Sequence, residues 1–336
     1  VRSLKLRVTM AIGAAVAAAA AAGVVAAMAN GAPGAAAGAA GDAALLARHA
    51  PVLRLARGDW GPIPVEAFLA RAELWVPGRA PLARPGVPAL AAAAGVAGAR
   101  LDIAGCRPAA PQCYQRLRAG LARARPTAYG RVWRAPGPTS AARTAIVLEY
   151  WLLYALNDWQ GAVGDIRVRQ VHEGDWEAVS VGLAADGRPL WAAWSQHRGG
   201  VWRPWAHTPK VDGTHPVSRV AAGSHANYPS DGRGGTHAIP PALSGLALFG
   251  ALVDRTPVAA AATVTVRPRV VPLPVVAGAP AGWAQFSGPW GEGQRILAST
   301  LTAPLAAGDS PVGPGQHATW PRPDRIVAGL PQWLRG

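Results

Sequence analysis

The chain has 336 residues, half of them apolar, with 33 Lys and Arg against 18 Asp and Glu, 40 Gly, 32 Pro, 14 Trp and two Cys. That is enough apolar mass for one large domain or two small ones and excludes a disordered chain, while so much Gly and Pro excludes a coiled coil or a helical bundle. The net charge of +15 is almost all Arg, scattered as a GC-rich genome scatters it; without a nucleic-acid motif or bases interleaved with aromatics, no nucleic-acid partner is expected.

Arg2, Lys5 and Arg7 open the chain, and no charge follows from Val8 to Gly41. A basic start, an apolar run to Met28 and the small-x-small step Ala27-Met28-Ala29 predict a signal peptide over residues 1–29 and a secreted or extracytoplasmic protein. The alternative is an uncleaved membrane anchor, since about 20 apolar residues can span a bilayer. An Ala/Gly-rich linker is expected over 30–42, then a single domain over 43–336.

Within that domain, residues 43–138 read as helical and loop-rich. Helices are expected at 43–48 and at 64–72, the latter with Pro64 at its first position. Cys106 and Cys113 enclose a short Pro-containing loop. In an oxidising compartment they predict a disulfide, because two thiols alone make a poor zinc site and the spacing is not CxxC. Tyr114 to Arg125 is a basic amphipathic candidate, read as a solvated Arg face.

Residues 139–336 read as strands. Ala145–Tyr154 is aromatic and β-branched; Glu177–Leu183 alternates with period two up to the Asp186-Gly187 turn; Leu190–His197 returns, so 175–197 is a hairpin. Val217–Ala222 and Val258–Arg267 supply more strands. Trp151, Trp159, Trp176, Trp191, Trp194, Trp202 and Trp205 lie in or beside these segments and read first as core, with sugar stacking or membrane-interface insertion as sharper options. The fold class expected is mainly β, a β-sandwich of jelly-roll or lectin-like type with a helical N-terminal section.

The densest polar cluster is His172-Glu173-Gly174-Asp175-Trp176-Glu177. Asp175 and Glu177 share a strand face with Val179 and Val181 and so point inward. Two inward carboxylates repel each other and need a positive partner. A divalent metal reached also by His172 is one answer; Arg167 or Arg169 is the other, and spacing leaves both open. Downstream stand Ser195-Gln196-His197, His215 and Gly223-Ser224-His225, and five of the eight histidines fall between 172 and 225, which suggests a shared cleft. Ser224 lacks the GxSxG elbow, His172-Glu173 lacks the HExxH spacing, and no P-loop or GxGxxG fingerprint occurs.

His172–Glu177, Ser195-Gln196-His197 and Gly223-Ser224-His225-Ala226-Asn227-Tyr228-Pro229 resemble the vacuolar protein sorting-associated protein 62 family. The resemblance extends to His49-Ala50-Pro51-Val52-Leu53-Arg54-Leu55, Phe286-Ser287-Gly288-Pro289-Trp290-Gly291 and Gly313-Pro314-Gly315-Gln316. The H-x-x-D-x-E spacing also resembles, more distantly, the necrosis-inducing cytolysin family, whose His, Asp and Glu bind a divalent cation on a β-sandwich. That resemblance implies metal ligands at His172, Asp175 and Glu177, with Asp158 as a fourth; it does not imply membrane lysis. Mostly oxygen donors favour Ca²⁺, Mg²⁺ or Mn²⁺ over Zn²⁺.

Three functional readings follow. The first is a secreted metal-binding β-sandwich whose cleft, shared with His197, His215, Ser224 and His225, recognises an envelope glycan or lipid head group. The second is a metal-dependent hydrolase of ester, phosphoester or glycosidic bonds, with His197 or His225 as the catalytic base. The third is a structural protein with Arg-paired carboxylates and no metal. No obligate protein partner is evident in the sequence.

Overall fold

The computed structural model describes residues 33–136, 143–197, 199–231, 233–236, 253–276, 279–317 and 322–335. The expected signal peptide lies outside them. Two compact units divide the chain, residues 1–45 and 46–336. The described part of the first is helical: α1 (Pro33–Arg48) runs through much of the expected linker, because an Ala-rich stretch with Pro in its first turn favours helix despite three glycines.

In the second unit, the section expected to be helical and loop-rich does hold short helices, α2 (Val65–Leu69), α3 (Val87–Ala92) and α4 (Tyr114–Leu121). Pro64 caps α2 from outside rather than starting it. The section also contributes strands: β1 (Val52–Ala56), β2 (Ala72–Trp75), β3 (Leu82–Ala83), β4 (Arg100–Ile103) and β5 (Thr127–Arg134). Apart from β5 they are only two to five residues long, so their pairing is decided by distant partners. Cys106 and Cys113 form the expected disulfide.

The rest is mainly β, with two principal sheets. Its strands are β6 (Ile146–Val163), β7 (Ile166–Leu183), β8 (Pro189–Gln196), β9 (Gly199–Pro204), β10 (Lys210–Val211), β11 (His215–Val220), β12 (Asn227–Tyr228), β13 (Arg233–Thr236), β14 (Val253–Arg255), β15 (Thr263–Val266), β16 (Arg269–Pro272), β17 (Val275–Val276), β18 (Ala279–Pro280), β19 (Gln294–Ala298) and β20 (Leu305–Gly308); α5 (Pro323–Gly329) follows. The larger sheet runs β16-β5-β6-β7-β19-β20, with β8 joined to β7 and β9 to β8. The smaller runs β10-β11-β1-β15, with β12 on β11, and includes a parallel β1–β11 pair. The expected strand at 258–267 forms only over its second half, after a 3₁₀ turn at Ala260–Ala262.

The axis of the larger sheet is the β6–β7 hairpin, in register from Ile146↔Leu183 to Val163↔Ile166. Its two-residue loop is Gly164-Asp165, with Gly164 at φ 57°, the first-position glycine of a II′ hairpin. Trp151, Trp191 and Trp194 are fully buried on and beside it, which settles their role as core. A Cβ on Gly182 would lie 2.0 Å from the Trp191 indole, so that glycine makes room for a tryptophan across the strand pair. Trp194 Nε1 donates to the Val217 carbonyl at 3.1 Å and ties β8 to the smaller sheet.

One feature of this sheet positions the polar cluster. On its second edge β7 pairs with β19 over Val168–Val171 and with β8 over Val179–Leu183. Between them, residues 172–178 pair as strand only with β6 among the described strands. The motif occupies the stretch where the sheet parts.

Candidate functional site

Side chains on a regular strand alternate, so His172 and Asp175 would face opposite ways. Gly174 changes the phase. It sits at φ 61°, a conformation that favours glycine, and a Cβ there would lie 2.0 Å from the Trp290 carbonyl oxygen, a fit open only to glycine. Glu173 and Trp176 thereby turn to one side, against Tyr114 and the rings of Tyr129, Trp283 and Trp290. Asp175 and Glu177 turn to the other, where the charges of Asp175 and His225 act on His172.

Asp175 Oδ2 meets His225 Nδ1 at 2.9 Å, and Asp59 Oδ1 lies 3.8 Å from His225 Nε2. Asp59 is fixed in turn by the N–H groups of Trp60 and Gly223, at 2.8 and 2.9 Å. The His225 ring stacks on Tyr154 with centroids 4.0 Å apart and planes 2° apart. Burial by itself would depress the His225 pKa; hydrogen bonding and attraction to Asp175 and Asp59 outweigh it and hold the imidazole at about 9. His225 is therefore an imidazolium clamped between two carboxylates at neutral pH.

Glu177 completes the inward pair. Its carboxyl is buried and hydrogen-bonded to the Ser195 hydroxyl, which also accepts the Ala178 N–H at 2.8 Å. Burial first, then repulsion from Asp175, push it well above the usual carboxylate range. His172 has the opposite fate: burial lowers its pKa, and its Nδ1 lies 3.2 Å from the Glu173 carbonyl. A neutral ring donating from Nδ1 presents its Nε2 lone pair.

Asp254 gathers a second set. It accepts from Ser224 Oγ at 2.8 Å and Tyr228 OH at 2.6 Å, and meets His197 Nε2 at 2.7 Å. His197 and His225 both adopt left-handed backbone, at φ 55° and 56°, a costly conformation for non-glycine residues that clusters at functional sites.

Two of the expected site residues are elsewhere. Asp158 lies opposite Val171, before the phase change, and its carboxylate is held by Arg169 at 2.5 and 2.7 Å. Arg169 is thus the partner of Asp158 and not of Asp175, whose cation is His225. His215 Nδ1 lies 2.8 Å from the Ala50 carbonyl, and the ring belongs with His49. Ser224 gives its hydroxyl to a carboxylate rather than to a histidine, which is not the arrangement of an activated nucleophile. As placed, no three His, Cys, Asp or Glu side chains among the described residues form a metal-holding group.

Sequence reasoning missed Asp59, Asp254 and the buried phenol of Tyr154. Asp59 reads as an ordinary turn residue between Gly58 and Gly61. Asp254 carried the one usable signal, a lone acid ending the apolar run Leu246–Val253.

Glu173 faces away and anchors the disulfide loop from both ends. Its Oε1 accepts from Tyr114 OH at 2.5 Å and its Oε2 from the Ile103 N–H at 2.9 Å, and burial pushes its pKa to about 8. On the far edge of the sheet Glu149, buried and ion-paired with Arg131 at 2.6 Å, is likewise pushed by burial to about 7.

Glu149, Glu173 and His225 all bind their protons more tightly folded than unfolded, so their shared contribution to stability is lost as pH rises through about 7, 8 and 9. The unfolding free energy should therefore fall by a few kcal/mol between pH 6.5 and 9 in denaturant melts at constant ionic strength. Stability that is flat or rising over that window would contradict these assignments.

Among the described residues no helix is long and apolar enough to cross a membrane, and the disulfide fits an oxidising compartment. Comparison of the chain with protein-family models, curated protein sequences and solved structures finds no match.

Proposed function

We propose that this chain is an extracytoplasmic protein that binds a divalent cation at the parting of its large sheet and uses it to hold an oxygen-rich envelope ligand, a glycan or a lipid head group. The observation that carries this reading is the Asp175–Glu177 pair. Two carboxyls on one buried face have a single clamped imidazolium for compensation, and Glu177 is driven toward its protonated form. A divalent ion supplies the missing charge and displaces that proton. His172 Nε2 and the second oxygens of Asp175 and Glu177 are the donors. Tyr154 OH, buried without a hydrogen-bond partner among the described residues, lies beside them. Asp158 is left out, since it is committed to Arg169. The oxygen-rich donor set favours Ca²⁺, Mg²⁺ or Mn²⁺.

The test is a melting curve of the full chain after chelation, then with each ion restored. An ion at about 100 times its Kd adds roughly 2.7 kcal/mol to the folded state. The rise should vanish in Asp175→Asn and Glu177→Gln and survive in Asp158→Asn. No response to any ion overturns the reading.

One observation supports a second reading, a metal-dependent hydrolase: the His197–Asp254 pair. Of the two histidines considered as a base, His225 is clamped and fully buried, whereas His197 is oriented by a carboxylate and partly open to solvent. Ion-dependent turnover of generic esters or phosphodiesters, lost in His197→Ala, would establish that activity.

A further inference from the structure

The Cys106–Cys113 bridge lies in a groove of about 600 Å³ between the small β3-β2-β4 sheet and α4. Both cysteines are half-buried and both line the groove, together with Arg71, Arg84 and Arg116; no acidic residue lines it. Among the described residues none of these three arginines makes an ion pair, and Arg71 is braced by the carbonyls of Ala67 and Gly120, at 3.2 and 2.9 Å. Cys113 is also the N-cap of α4, where the unpaired N–H groups of a first helical turn favour negative charge. Guanidinium groups and a helix N-terminus both stabilise a thiolate. A disulfide that solvent can reach, with a leaving sulfur stabilised in that way, is labile rather than inert. The bridge spans only seven positions, and so short a loop contributes less to stability than a long one, so the fold stands when it opens.

The bridge is wired to the polar cluster. The Cys106 N–H donates to the Ile103 carbonyl at 3.1 Å, and the Ile103 N–H donates to Glu173 Oε2 at 2.9 Å. Tyr114, next to Cys113, donates to Glu173 Oε1 at 2.5 Å. Glu173 is fully buried and immediately precedes Gly174, where β7 changes phase. The bridge therefore holds in place both donors of one buried carboxyl group at the head of the cluster.

We propose that the Cys106–Cys113 bridge is a thiol–disulfide exchange site for a small anionic thiol, and that its opening releases the anchor of Glu173. The thiolate attacks Cys106 Sγ, the S–S bond breaks, and its electron pair leaves on Cys113 Sγ beside the helix N-terminus. A second thiolate attacks the incoming sulfur of the mixed disulfide, which forms the small disulfide and frees Cys106. In sum two thiols lose two electrons, the bridge gains them, and the two thiol protons pass to the cysteines or to solvent. The site stands whether or not the sheet-parting cluster binds an ion.

The test is to incubate the full oxidised chain with mercaptoacetate, 2-mercaptoethanol or cysteamine and count the cysteines open to alkylation by mass. Each rate is divided by that of the same thiol on a neutral small disulfide, which cancels differences in nucleophilicity. At low salt mercaptoacetate should then open the bridge about tenfold faster than cysteamine, and salt should erase the difference. Arg84→Ala with Arg116→Ala should remove most of that preference. Arg203→Ala with Arg325→Ala takes the same charge from exposed positions on β9 and α5 and should leave it. No preference, equal losses in the two double variants, or a bridge resistant to all three thiols would overturn the exchange site. For the anchor, Cys106→Ser with Cys113→Ser should lose amide hydrogen-exchange protection over residues 172–178 relative to the oxidised chain, with β8 unchanged. Full protection at 172–178, or an equal loss over β8, would overturn the link to Glu173.

Discussion

His225→Ala should cost about 3–5 kcal/mol of folding free energy, among the largest effects of any single side chain here. The imidazolium is fully buried, bonded to Asp175 at 2.9 Å and close to Asp59 at 3.8 Å. Removing it leaves two carboxylates in the interior with no cation between them, and the lost stacking on Tyr154 adds to the penalty. Neutralising one carboxylate should recover much of the loss, so Asp175→Asn in the His225→Ala background should be more stable than His225→Ala alone. Urea unfolding of the two single variants and the double gives the coupling directly. A loss below about 1 kcal/mol, the size of an ordinary hydrogen bond, would mean that the buried ion triad does not exist in solution.

Gly174→Ala should be comparably damaging for a different reason. The left-handed conformation costs a non-glycine residue about 1–2 kcal/mol. The new Cβ would also meet Trp290 at 2.0 Å from its carbonyl oxygen and 2.4 Å from its Cβ, and a backbone atom inside a packed core cannot step aside cheaply. Together these predict a loss of roughly 3 kcal/mol or more. Gly187→Ala provides the comparison: φ is 82° but nothing lies within 4 Å, so only the conformational part applies. Denaturant unfolding should rank Gly174→Ala well below Gly187→Ala. Equal losses would show that the close approach of Trp290 to β7 is absent.

The two variants also mark where sequence reasoning succeeds and fails. The β7–β8 hairpin was legible because β-branched and aromatic runs, period-two alternation and an Asp-Gly turn are local signals; the β6–β7 hairpin was not, since the strands expected at 145–154 and 177–183 run on to Val163 and begin at Ile166. The Cys106–Cys113 bridge was legible because two cysteines so close together in an oxidising context have one simple fate. The cluster His172–Glu177 stood out because five polar or glycine residues interrupt apolar strand.

Its wiring was not legible. Spacing offered Arg167 or Arg169 as the cation for Asp175, but Arg169 belongs to Asp158 across the hairpin and the cation arrives from His225. Asp158 looked like a partner of Asp175 by resemblance and is separated from it by the change of phase at Gly174. Most strands of residues 52–134 were hidden because segments of two to five residues take their identity from the strands they meet. Val52–Arg54 lies parallel to Val217–Arg219 from across the chain.

The sequence by itself determined the β-rich class, the β7–β8 hairpin, the disulfide and the address of the polar cluster, since each follows from side-chain chemistry over a few neighbouring residues. Tertiary structure alone decided which charges neutralise one another and where the sheet parts along β7. Ion pairing and desolvation are fixed by distances of a few ångströms between residues that the chain separates by 50 positions, as in Asp175 and His225, or by 166, as in Asp59 and His225.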